Sequence, residues 1–584
     1  MRSFRAAAHA VPFLSLALAA AAQSIPDETG LTALIQRVGA GNQPTGAGVI
    51  AGMAEAPAPG YLPDPSDPQF VGKTIIQKSA GTGISGHATV VGEHYFGLST
   101  SIAPGIDTID VWEASSWLGL GFLNGTGSTP PKLADFKIIN HSWIGAGADP
   151  QKSLRKLDFA IEDQQFLAVV GVNNGIGPLD YPLLAHGFNL IAVGRSDGQH
   201  HSGPTGLGID GPGRQKPELV APAGATSFAT PLVSGAAALM VETARTHPAL
   251  AGDAMAERAD LLKAVLMAGA EHRAGWTNNA PTSGPLRGST NTPLDALWGA
   301  DEIDVNSSHW ILTGDREPAA PILPPLLHAR HAGWDVTSIA SGDSRWLHFT
   351  VSAASPRVSV MAAWNRHVAL NFGSYELPDL DLELWRVDGV GQLHSLVGDA
   401  GLPYFSAGNV QSESPVDNLE HLYLNDLAPG DYALELRRVP DGYDTWNVAL
   451  AWSLSCPEPF AYGTGKTTSL LTVPQLSWRS YPSVAAAQFS LEVKQAVPNK
   501  VGIAFHGVGQ ASIPIVGGTL LVQPPIERLP AVLLDGTGAA TIPVPMQAAW
   551  AGTTRNFQFW FRDPAHPDGT GVGLSNGVEV VFCD

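Results

Sequence analysis

The sequence predicts an α/β fold, with a parallel sheet flanked by helices, followed by two all-β domains. From about residue 45 to residue 315, apolar strand-like runs alternate with helix-like stretches, and this alternation is typical of a parallel sheet with helices on both faces. Beyond a Pro-rich interruption, the pattern changes to short strand-like segments separated by turns. A chain of 584 residues is also long enough for two or more domains, each with its own core.

The first domain, predicted over residues 23–317, contains clear strand and helix candidates. The strand-like runs are AGVIAGM, FKIINHSW, FLAVVGV and LIAVG. The helix-like stretches include QKSLRKLDFAIEDQQ and FATPLVSGAAALMVETA. The predicted parallel sheet depends on these runs and on their alternation along the chain.

The remainder of the chain predicts a linker and two β domains. The Pro-rich piece REPAAPILPPLL predicts a linker at residues 318–329. Four short β segments then predict a β-sandwich over residues 330–454: RWLHFTVSA, RVSVMAAW, LDLELWRV and DYALELRRV. Residues 455–584 again alternate strand-like runs with Gly and Pro turns, and they predict a third, β-rich domain.

The first residues predict a secretory signal peptide over residues 1–22. Arg2 and Arg5 precede the apolar run VPFLSLALAA, and an Ala-Ala-Ala cleavage site lies before Gln23. The apolar run is shorter than the roughly 20 residues that a spanning helix needs, which disfavours a membrane anchor. We therefore expect a secreted protein, extracellular or periplasmic, with no membrane insertion after the signal is removed.

Charge and cysteine content narrow the range of partners. The formal charge of −20 opposes binding to nucleic acid or to an anionic membrane, so neither is an expected partner.

The two cysteines, Cys456 and Cys583, both lie near the C-terminal end. In an oxidising compartment they predict one disulfide that closes the last domain, because a metal or redox pair needs further ligands or a CxxC spacing.

The strongest signal for chemistry is the segment GATSFATP at residues 224–231, which precedes the small-residue helix LVSGAAALM. A serine at a helix start lies beside free N–H groups and the positive end of the helix dipole, which together stabilise an oxyanion. The alternative is an N-cap serine before an ordinary buried helix. The segment resembles the nucleophile motif of the subtilisin-like serine proteases, the subtilases. This resemblance implies that Ser227 is a nucleophile.

A serine hydroxyl needs a base, and His87 is the candidate. It lies in SGHATVVG at residues 85–92, which resembles the start of the helix that carries the histidine in subtilases. Ala88 and Val90 replace a glycine and a second histidine of the family pattern. The neighbouring His94 is a weaker candidate.

The third member of the site departs from the family pattern. Subtilases carry an aspartate at the end of the first strand, whereas here GAGVIAGMAEA places Glu55 at that position. A glutamate is able to orient an imidazole in the same way, because the task is one carboxylate hydrogen bond to the far ring nitrogen. An exposed charge at a strand end is the alternative interpretation of Glu55. The rival carboxylates are Asp64, Asp67, Asp107 and Asp110.

The resemblance also implies groups that bind the oxyanion and the substrate. In FLAVVGVNNG, residues 166–175, Asn173 aligns with the oxyanion donor of the family, and Asn174 is the alternative. The segment NHSWIG, residues 140–145, resembles the family strand that pairs with the substrate main chain. It makes Ser142, Trp143 and Gly145 candidate substrate-binding residues, although Trp143 is equally plausible as a core tryptophan.

The resemblance covers about residues 45–310, and the sequence departs from the family pattern in two further respects. The couple of dozen residues between the predicted signal and the first strand are too few for the inhibitory prodomain usual in subtilases, so we expect activation to differ or not to be needed. The family also has a longer loop before the nucleophile motif, whereas here Val220-Ala221-Pro222 runs almost directly into Gly224. We therefore expect an altered leaving-group side of the cleft.

The C-terminal domains offer weaker signals. Residues 330–453 resemble the jelly-roll accessory domains of secreted subtilases. Four aspartates are candidate ligands of a structural calcium ion, with solvated strand-end charges as the alternative: Asp379, Asp381, Asp388 and Asp417. Exposed Trp478 and Trp560 are candidates for saccharide stacking, although tryptophans of small β domains are usually core.

The sequence thus predicts a secreted serine endopeptidase that acts on polypeptides through a Ser/His/Glu triad and an acyl-enzyme. No cofactor or catalytic metal is expected, and calcium is kept as a structural candidate. One rival is a catalytically degenerate surface or adhesion protein with the same fold. Another is an esterase or transacylase that uses the same site. A cell surface or a glycan is a candidate partner of the C-terminal domains, and the sequence does not assign their ligand.

Overall fold

The computed structural model describes residues 24–179, 183–323 and 329–583. The predicted signal peptide, residues 1–22, lies outside these ranges, and so do residues 324–328 of the predicted linker. Within the described ranges, no helix combines the length and the apolar character needed to span a bilayer.

The first part of the chain is built on a parallel sheet. Its strands are β1 (Ile50–Glu55), β2 (Thr74–Gln77), β3 (Thr108–Glu113), β4 (Ile138–His141), β5 (Leu167–Gly171), β6 (Ile191–Arg195), β7 (Gly203–Pro204), β8 (Gln215–Lys216) and β9 (Leu219–Ala221). Seven of them form one sheet in the order β2-β3-β1-β4-β5-β6-β9, and every pair is parallel. The predicted runs correspond to β1, β4, β5 and β6. The predicted fold class is confirmed.

Helices pack against both faces of this sheet. They are α1 (Ile25–Glu28), α2 (Leu31–Val38), α3 (Gly86–Phe96), α4 (Ala114–Ser116), α5 (Pro150–Gln164), α6 (Thr226–Thr246), α7 (Ala259–Ala268) and α8 (Val305–Leu312). Shorter helical turns are Pro68–Phe70, Trp117–Gly121, Leu184–His186 and Ala254–Glu257. Side chains of Ser85, Asp149 and Asp304 accept hydrogen bonds from free N–H groups at the starts of α3, α5 and α8.

Strand β5 illustrates how the sheet is buried on both faces. Leu167 and Val169 contact the apolar cluster on one face, which includes the small residues of α6. Ala168 and Val170 contact the cluster on the other face, which includes residues of α5. Strands covered on both sides are expected to be continuously apolar, and this explains the run FLAVVGV.

A β-sandwich follows. Its strands are β10 (Ser289–Thr290), β11 (Ala332–Ile339), β12 (Ser344–Val351), β13 (Ser355–Ala363), β14 (His367–Val368), β15 (Tyr375–Glu376), β16 (Leu380–Val387), β17 (Leu393–Ser395), β18 (Ala407–Gly408), β19 (Gln411–Ser412), β20 (Leu419–Leu427), β21 (Gly430–Arg438) and β22 (Trp446–Leu454). One sheet has the order β10-β19-β16-β21-β12 with β17 beside β16, and the other has the order β11-β22-β13-β20-β18. An apolar core lies between the two sheets.

The last part of the chain is again antiparallel β structure. Its strands are β23 (Phe460–Tyr462), β24 (Gln475–Arg479), β25 (Ser490–Lys494), β26 (Val501–Gly507), β27 (Gln510–Ile515), β28 (Gly518–Val522), β29 (Glu527–Leu533), β30 (Ala540–Pro543), β31 (Thr554–Arg562) and β32 (Val572–Val581). The main sheet has the order β23-β32-β31-β26-β29. The predicted disulfide between Cys456 and Cys583 is present, with 5.6 Å between the two Cα atoms, and it joins the ends of this region.

The sandwich shares a core with the first part of the chain. Helix α7 packs on β13 and β22, and Trp334, Met361 and Ala451 belong to the same apolar cluster as α6 and α7. Strand β10, which precedes the predicted linker in sequence, pairs in parallel with β19 of the sandwich. The sandwich is therefore packed into the α/β part rather than attached by the linker alone.

Candidate active site

Ser227 is the second residue of α6. Ala225, the residue that precedes the helix, has an extended backbone. Its carbonyl accepts hydrogen bonds from the N–H groups of Phe228 and Ala229 at 3.0 Å. The Thr226 N–H donates to Asn174 Oδ1 at 2.8 Å. Within the described part of the chain, the Ser227 N–H has no such acceptor. It is thus a free donor at the positive end of a long helix.

The Ser227 side chain is held against the end of β4. Its Oγ donates to the Ser142 carbonyl at 3.4 Å, and Ser142 Oγ donates to the Ser227 carbonyl at 2.8 Å. Asn140 Nδ2 in turn donates to Ser142 Oγ at 2.9 Å. These bonds fix where α6 begins relative to the sheet.

His87 lies at the start of α3 and lines the same cavity as Ser227, a space of about 480 Å³. Its side chain is 36% exposed. No hydrogen bond joins His87 to Ser227 in the described ranges, because the serine hydroxyl is turned toward the Ser142 carbonyl. Such contacts are often long in unliganded sites and tighten when substrate binds.

Glu55, the last residue of β1, contacts His87 directly. Its Oε2 lies 2.9 Å from His87 Nδ1, and its side chain is 1% exposed. The other oxygen, Oε1, is buried and has no hydrogen-bond partner in the described structure. Glu55 is therefore a buried carboxylate whose observed partner is the imidazole.

The rival carboxylates bind elsewhere. Asp110 pairs with Lys78 at 3.1 Å, and Asp64 accepts a hydrogen bond from Ser66 at 2.7 Å. Asp67 accepts from the Gln69 N–H, and Asp107 accepts from Thr108. Of the five carboxylates considered from sequence, Glu55 is the one that contacts His87.

Burial and contact shift the two pKa values of this pair upward. Burial raises the pKa of Glu55 to about 7, although the hydrogen bond and charge of His87 oppose this shift. The hydrogen bond to Glu55 raises the pKa of His87 above its ordinary value, and desolvation opposes it. Each group therefore favours the charged form of the other, and burial of the pair works against both charges.

The structure separates the two asparagines after β5. Asn173 is 7% exposed and lines the cavity, and its backbone carbonyl accepts from the His201 N–H at 2.8 Å. Asn174 also lines the cavity, but its side-chain oxygen accepts the Thr226 N–H. The side chain of Asn174 thus holds the helix start.

The candidate substrate-binding residues follow β4. Ser142 and Trp143 line the cavity, and Trp143 Nε1 donates to His141 Nδ1 at 3.2 Å. The carbonyl of Gly145 accepts the Leu184 N–H at 2.8 Å, so this acceptor is already used. Trp143 is partly buried, with its ring beside Gly145, and it serves both the cavity wall and the core.

Sequence reasoning missed His201 and Ile144, which also line the cavity. His201 follows β6, and its backbone N–H donates to the Asn173 carbonyl. The N–H of the next residue, Ser202, donates to the Gly177 carbonyl. The position of His201 in the loop after β6 could have indicated it, because loops that follow parallel strands meet at one edge of the sheet.

The four candidate calcium aspartates do not form one site. Asp381 pairs with Arg437, Asp388 with His394, and Asp417 accepts from Ser414. Asp379 Oδ1 is buried and has no hydrogen-bond partner among the described residues. Among the residues that the structure describes, no group of three or more His, Cys, Asp or Glu side chains could hold a metal ion.

Comparison with known proteins gives one family match. Residues 131–284 match the model of the subtilase family. This segment contains the Asn140–Gly145 stretch, Asn173 and Ser227, but it begins after Glu55 and His87. The match covers about a quarter of the chain.

Two solved structures are also similar. Proteases from Pseudoalteromonas arctica PAMC 21717 are 13% identical, with a TM-score of 0.30, and the match covers 46% of this chain and 91% of that chain. Tripeptidyl peptidase 2 is 10% identical, with a TM-score of 0.24, covering 85% of this chain and 53% of its own. These similarities are too low to support an argument about function. A search among curated proteins found no match.

Proposed function

We propose that this chain is a secreted serine endopeptidase in which Ser227 is the nucleophile, His87 its general base and Glu55 the acid that orients His87. The observation that carries the proposal is the 2.9 Å contact between Glu55 and His87 in the cavity that also contains Ser227. The match of residues 131–284 to the subtilase family supports the serine peptidase assignment.

In the proposed reaction, His87 Nε2 accepts the hydroxyl proton of Ser227 while Oγ bonds to the peptide carbonyl carbon. The hydroxyl first turns from the Ser142 carbonyl toward the imidazole. The C–N bond then breaks as His87 returns the proton to the leaving amine, and an acyl-enzyme remains. Water, deprotonated by His87, breaks the ester bond and restores the serine.

Glu55 accepts the Nδ1–H of His87, which leaves Nε2 as the proton acceptor. Because the carboxylate is buried, its charge is poorly screened and favours the imidazolium that forms during the reaction. The raised pKa of His87 agrees with this role.

The oxyanion is proposed to bind to the free N–H of Ser227 and to Asn173 Nδ2. Asn173 is expected to exceed Asn174 in this role, because the bond from the Thr226 N–H to Asn174 Oδ1 fixes the Asn174 amide at the start of α6. The proposed substrates are polypeptides whose main chain lies along Ser142 and Trp143.

The Asn173→Ala variant is expected to lower kcat about 10²–10³-fold with a smaller change in KM, since it removes a donor used mainly in the transition state. Asn174→Ala is expected to lower kcat less and to destabilise the fold by about 1 kcal/mol, through loss of the bond to the helix start. Steady-state kinetics on a chromogenic peptide and thermal unfolding measure both. A larger loss of kcat in Asn174→Ala would reverse the assignment.

Secretion is part of the proposal. The predicted signal peptide supports it, and a disulfide between Cys456 and Cys583 is compatible with an oxidising compartment. Expression with residues 1–22 present, followed by N-terminal sequencing of the exported protein, tests the cleavage site before Gln23.

A fluorophosphonate probe tests the nucleophile. We expect one probe per chain, attached by a phosphorus–oxygen bond to Ser227 with loss of fluoride, and located by peptide mapping. Ser227→Ala is expected to take no probe. Ser234→Ala is the matched control, because Ser234 lies in the same helix with its hydroxyl bonded to Asn140, and it should label like the wild type.

The same experiment separates the rival functions. A folded wild-type protein that takes no probe would contradict the proposal and favour a catalytically degenerate binding protein. Labelling with hydrolysis of esters but not of casein would favour an esterase or transacylase. Labelling together with casein cleavage, both lost in Ser227→Ala, is the result expected of an endopeptidase.

A further inference from the structure

A second cavity, of about 530 Å³, lies where the three parts of the chain meet. Its walls come from α2, the start of α8, the start of β13 and the segments around Cys456 and Tyr481. It shares no lining residue with the cavity of Ser227. Any ligand there is therefore bound away from the proposed reaction.

Three arginines, Arg37, Arg357 and Arg479, and two glutamates, Glu271 and Glu458, line this cavity in a chain whose formal charge is −20. Arg357 lies 3.6 Å from Glu271, and Arg479 pairs with Glu492. Arg37 is different, since no carboxylate of the described residues forms an ion pair with it. It lines the cavity, and the charge of Asp304 acts on its guanidinium from beyond ion-pair distance.

The surroundings of Arg37 hold it in place without neutralising it. Its Nε donates to Asn306 Oδ1 at 2.7 Å, and its Nη2 contacts the Asn306 carbonyl and His309 Nδ1. The guanidinium lies 5.5 Å from the ring of Trp310. In the described structure Nη1 makes no hydrogen bond. A partly buried cation with a free donor is expected to attract an anionic ligand.

Aromatic side chains line the same cavity. Trp478 of β24 packs one side against the core of the last domain and also borders the cavity. Tyr481 lines it too and accepts a hydrogen bond from Asn306 Nδ2 at 3.2 Å. Its ring is tilted by 47° against that of Trp310, with 4.8 Å between the ring centres. An indole with one side in the core presents a rigid surface for the apolar face of a ligand ring.

The rim disfavours an extended peptide as the ligand. Four prolines line the cavity: Pro356, Pro457, Pro459 and Pro482. Proline has no backbone N–H, so these positions cannot donate to the main chain of a peptide that adds as a strand. A ligand that is recognised through a ring face and carboxylates does not need those donors.

We propose that this cavity binds an acidic saccharide, a chain of uronic acid residues. Sugar carboxylates pair with the guanidinium groups of Arg37 and Arg357, and the apolar face of a pyranose ring lies on Trp478. The site anchors the protein to an acidic polysaccharide independently of what Ser227 does.

Isothermal titration of the full-length mature protein with hexagalacturonate tests this proposal. We expect the wild type to bind, with affinity that falls as salt is raised, because the contact is ionic and partly exposed. The methyl ester of the same hexamer, which keeps the rings and removes the charge, is expected to bind at least about tenfold more weakly. Arg357→Gln and Trp478→Ala are each expected to weaken binding by a similar factor.

Arg555→Gln is the matched control, because Arg555 lies 5.2 Å from the ring of Trp550 in the same domain but outside the cavity. It should bind the hexamer like the wild type. Unchanged thermal unfolding and fluorophosphonate labelling verify that each variant is folded. Lack of hexamer binding by the wild type would overturn the proposal, as would equal binding of the methyl ester or equal loss in Arg555→Gln. Tighter binding of hexaglutamate than of hexagalacturonate would make the cavity a peptide site.

Discussion

Replacing Glu55 with glutamine is expected to lower kcat/KM for peptide hydrolysis by about 10³–10⁴-fold, close to the level of Ser227→Ala. The glutamine amide can donate to Nδ1 of His87 and so place the ring proton on Nε2, where the base must be free. It also removes the negative charge 2.9 Å from the imidazole. Steady-state kinetics on a chromogenic peptide measure the loss.

Two further variants separate orientation from charge. Glu55→Asp keeps the carboxylate but shortens its reach by one methylene, so we expect a loss smaller than that of Glu55→Gln. Asp110→Asn is the matched control, because Asp110 is also buried and pairs with Lys78 instead of His87. It is expected to retain wild-type kcat/KM.

The pH dependence gives an independent test of the same contact. Activity requires neutral His87, and its pKa is raised by the hydrogen bond to Glu55, so wild-type kcat/KM should fall as pH drops through a value above the ordinary one for histidine. Glu55→Gln removes the cause of the raised pKa. The acidic limb of its residual activity should therefore move to lower pH. A limb that does not move, or full activity in Glu55→Gln, would remove Glu55 from the proposed triad.

Local patterns were sufficient to predict the sheet and the chain order of the site. The apolar runs corresponding to β1, β4, β5 and β6 are covered on both faces of the sheet, and their continuously apolar sequence indicates this burial. Glu55 at the end of β1 and His87 at the start of α3 come together because parallel strands end at one edge of the sheet. Their catalytic roles stay predictions.

Contacts between distant segments were not predictable in the same way. The pattern of β13 and β22 shows that they are strands, but not that the face away from the sandwich core packs on α7. The two residues of β10 carry no strand signal of their own and gain their partner only from β19. Such pairings depend on tertiary packing, which alternation along one segment does not encode.

The cluster of ion pairs around Arg366 is also not predictable from any local sequence pattern. Arg366, just before β14 of the sandwich, has its Nε 2.6 Å from Asp158 of α5 and its Nη1 2.9 Å from Asp210. Its side chain is 1% exposed and that of Asp158 is 0% exposed. Arg155 also bonds Asp210 at 2.7 Å. Charges from the α/β part and the sandwich are thus desolvated together.

Arg366→Ala is expected to destabilise the protein by about 3–5 kcal/mol, because it leaves the carboxylate of Asp158 buried without its cation. Arg437→Ala is the matched control in the same sandwich. Arg437 is 50% exposed in its ion pair with Asp381, so its loss should cost at most about 1 kcal/mol. Urea unfolding followed by tryptophan fluorescence measures both free energies.

A double variant identifies the mechanism of this loss. If the cost comes from the unpaired charge, Asp158→Asn combined with Arg366→Met should be more stable than Arg366→Met alone, because the amide keeps an acceptor for the Asn189 N–H without a charge. Since the sandwich and the α/β part share one apolar cluster, both should unfold in a single transition in every variant. Two separate transitions, or a double variant no more stable than the single one, would mean that Arg366 does not couple the two parts through Asp158.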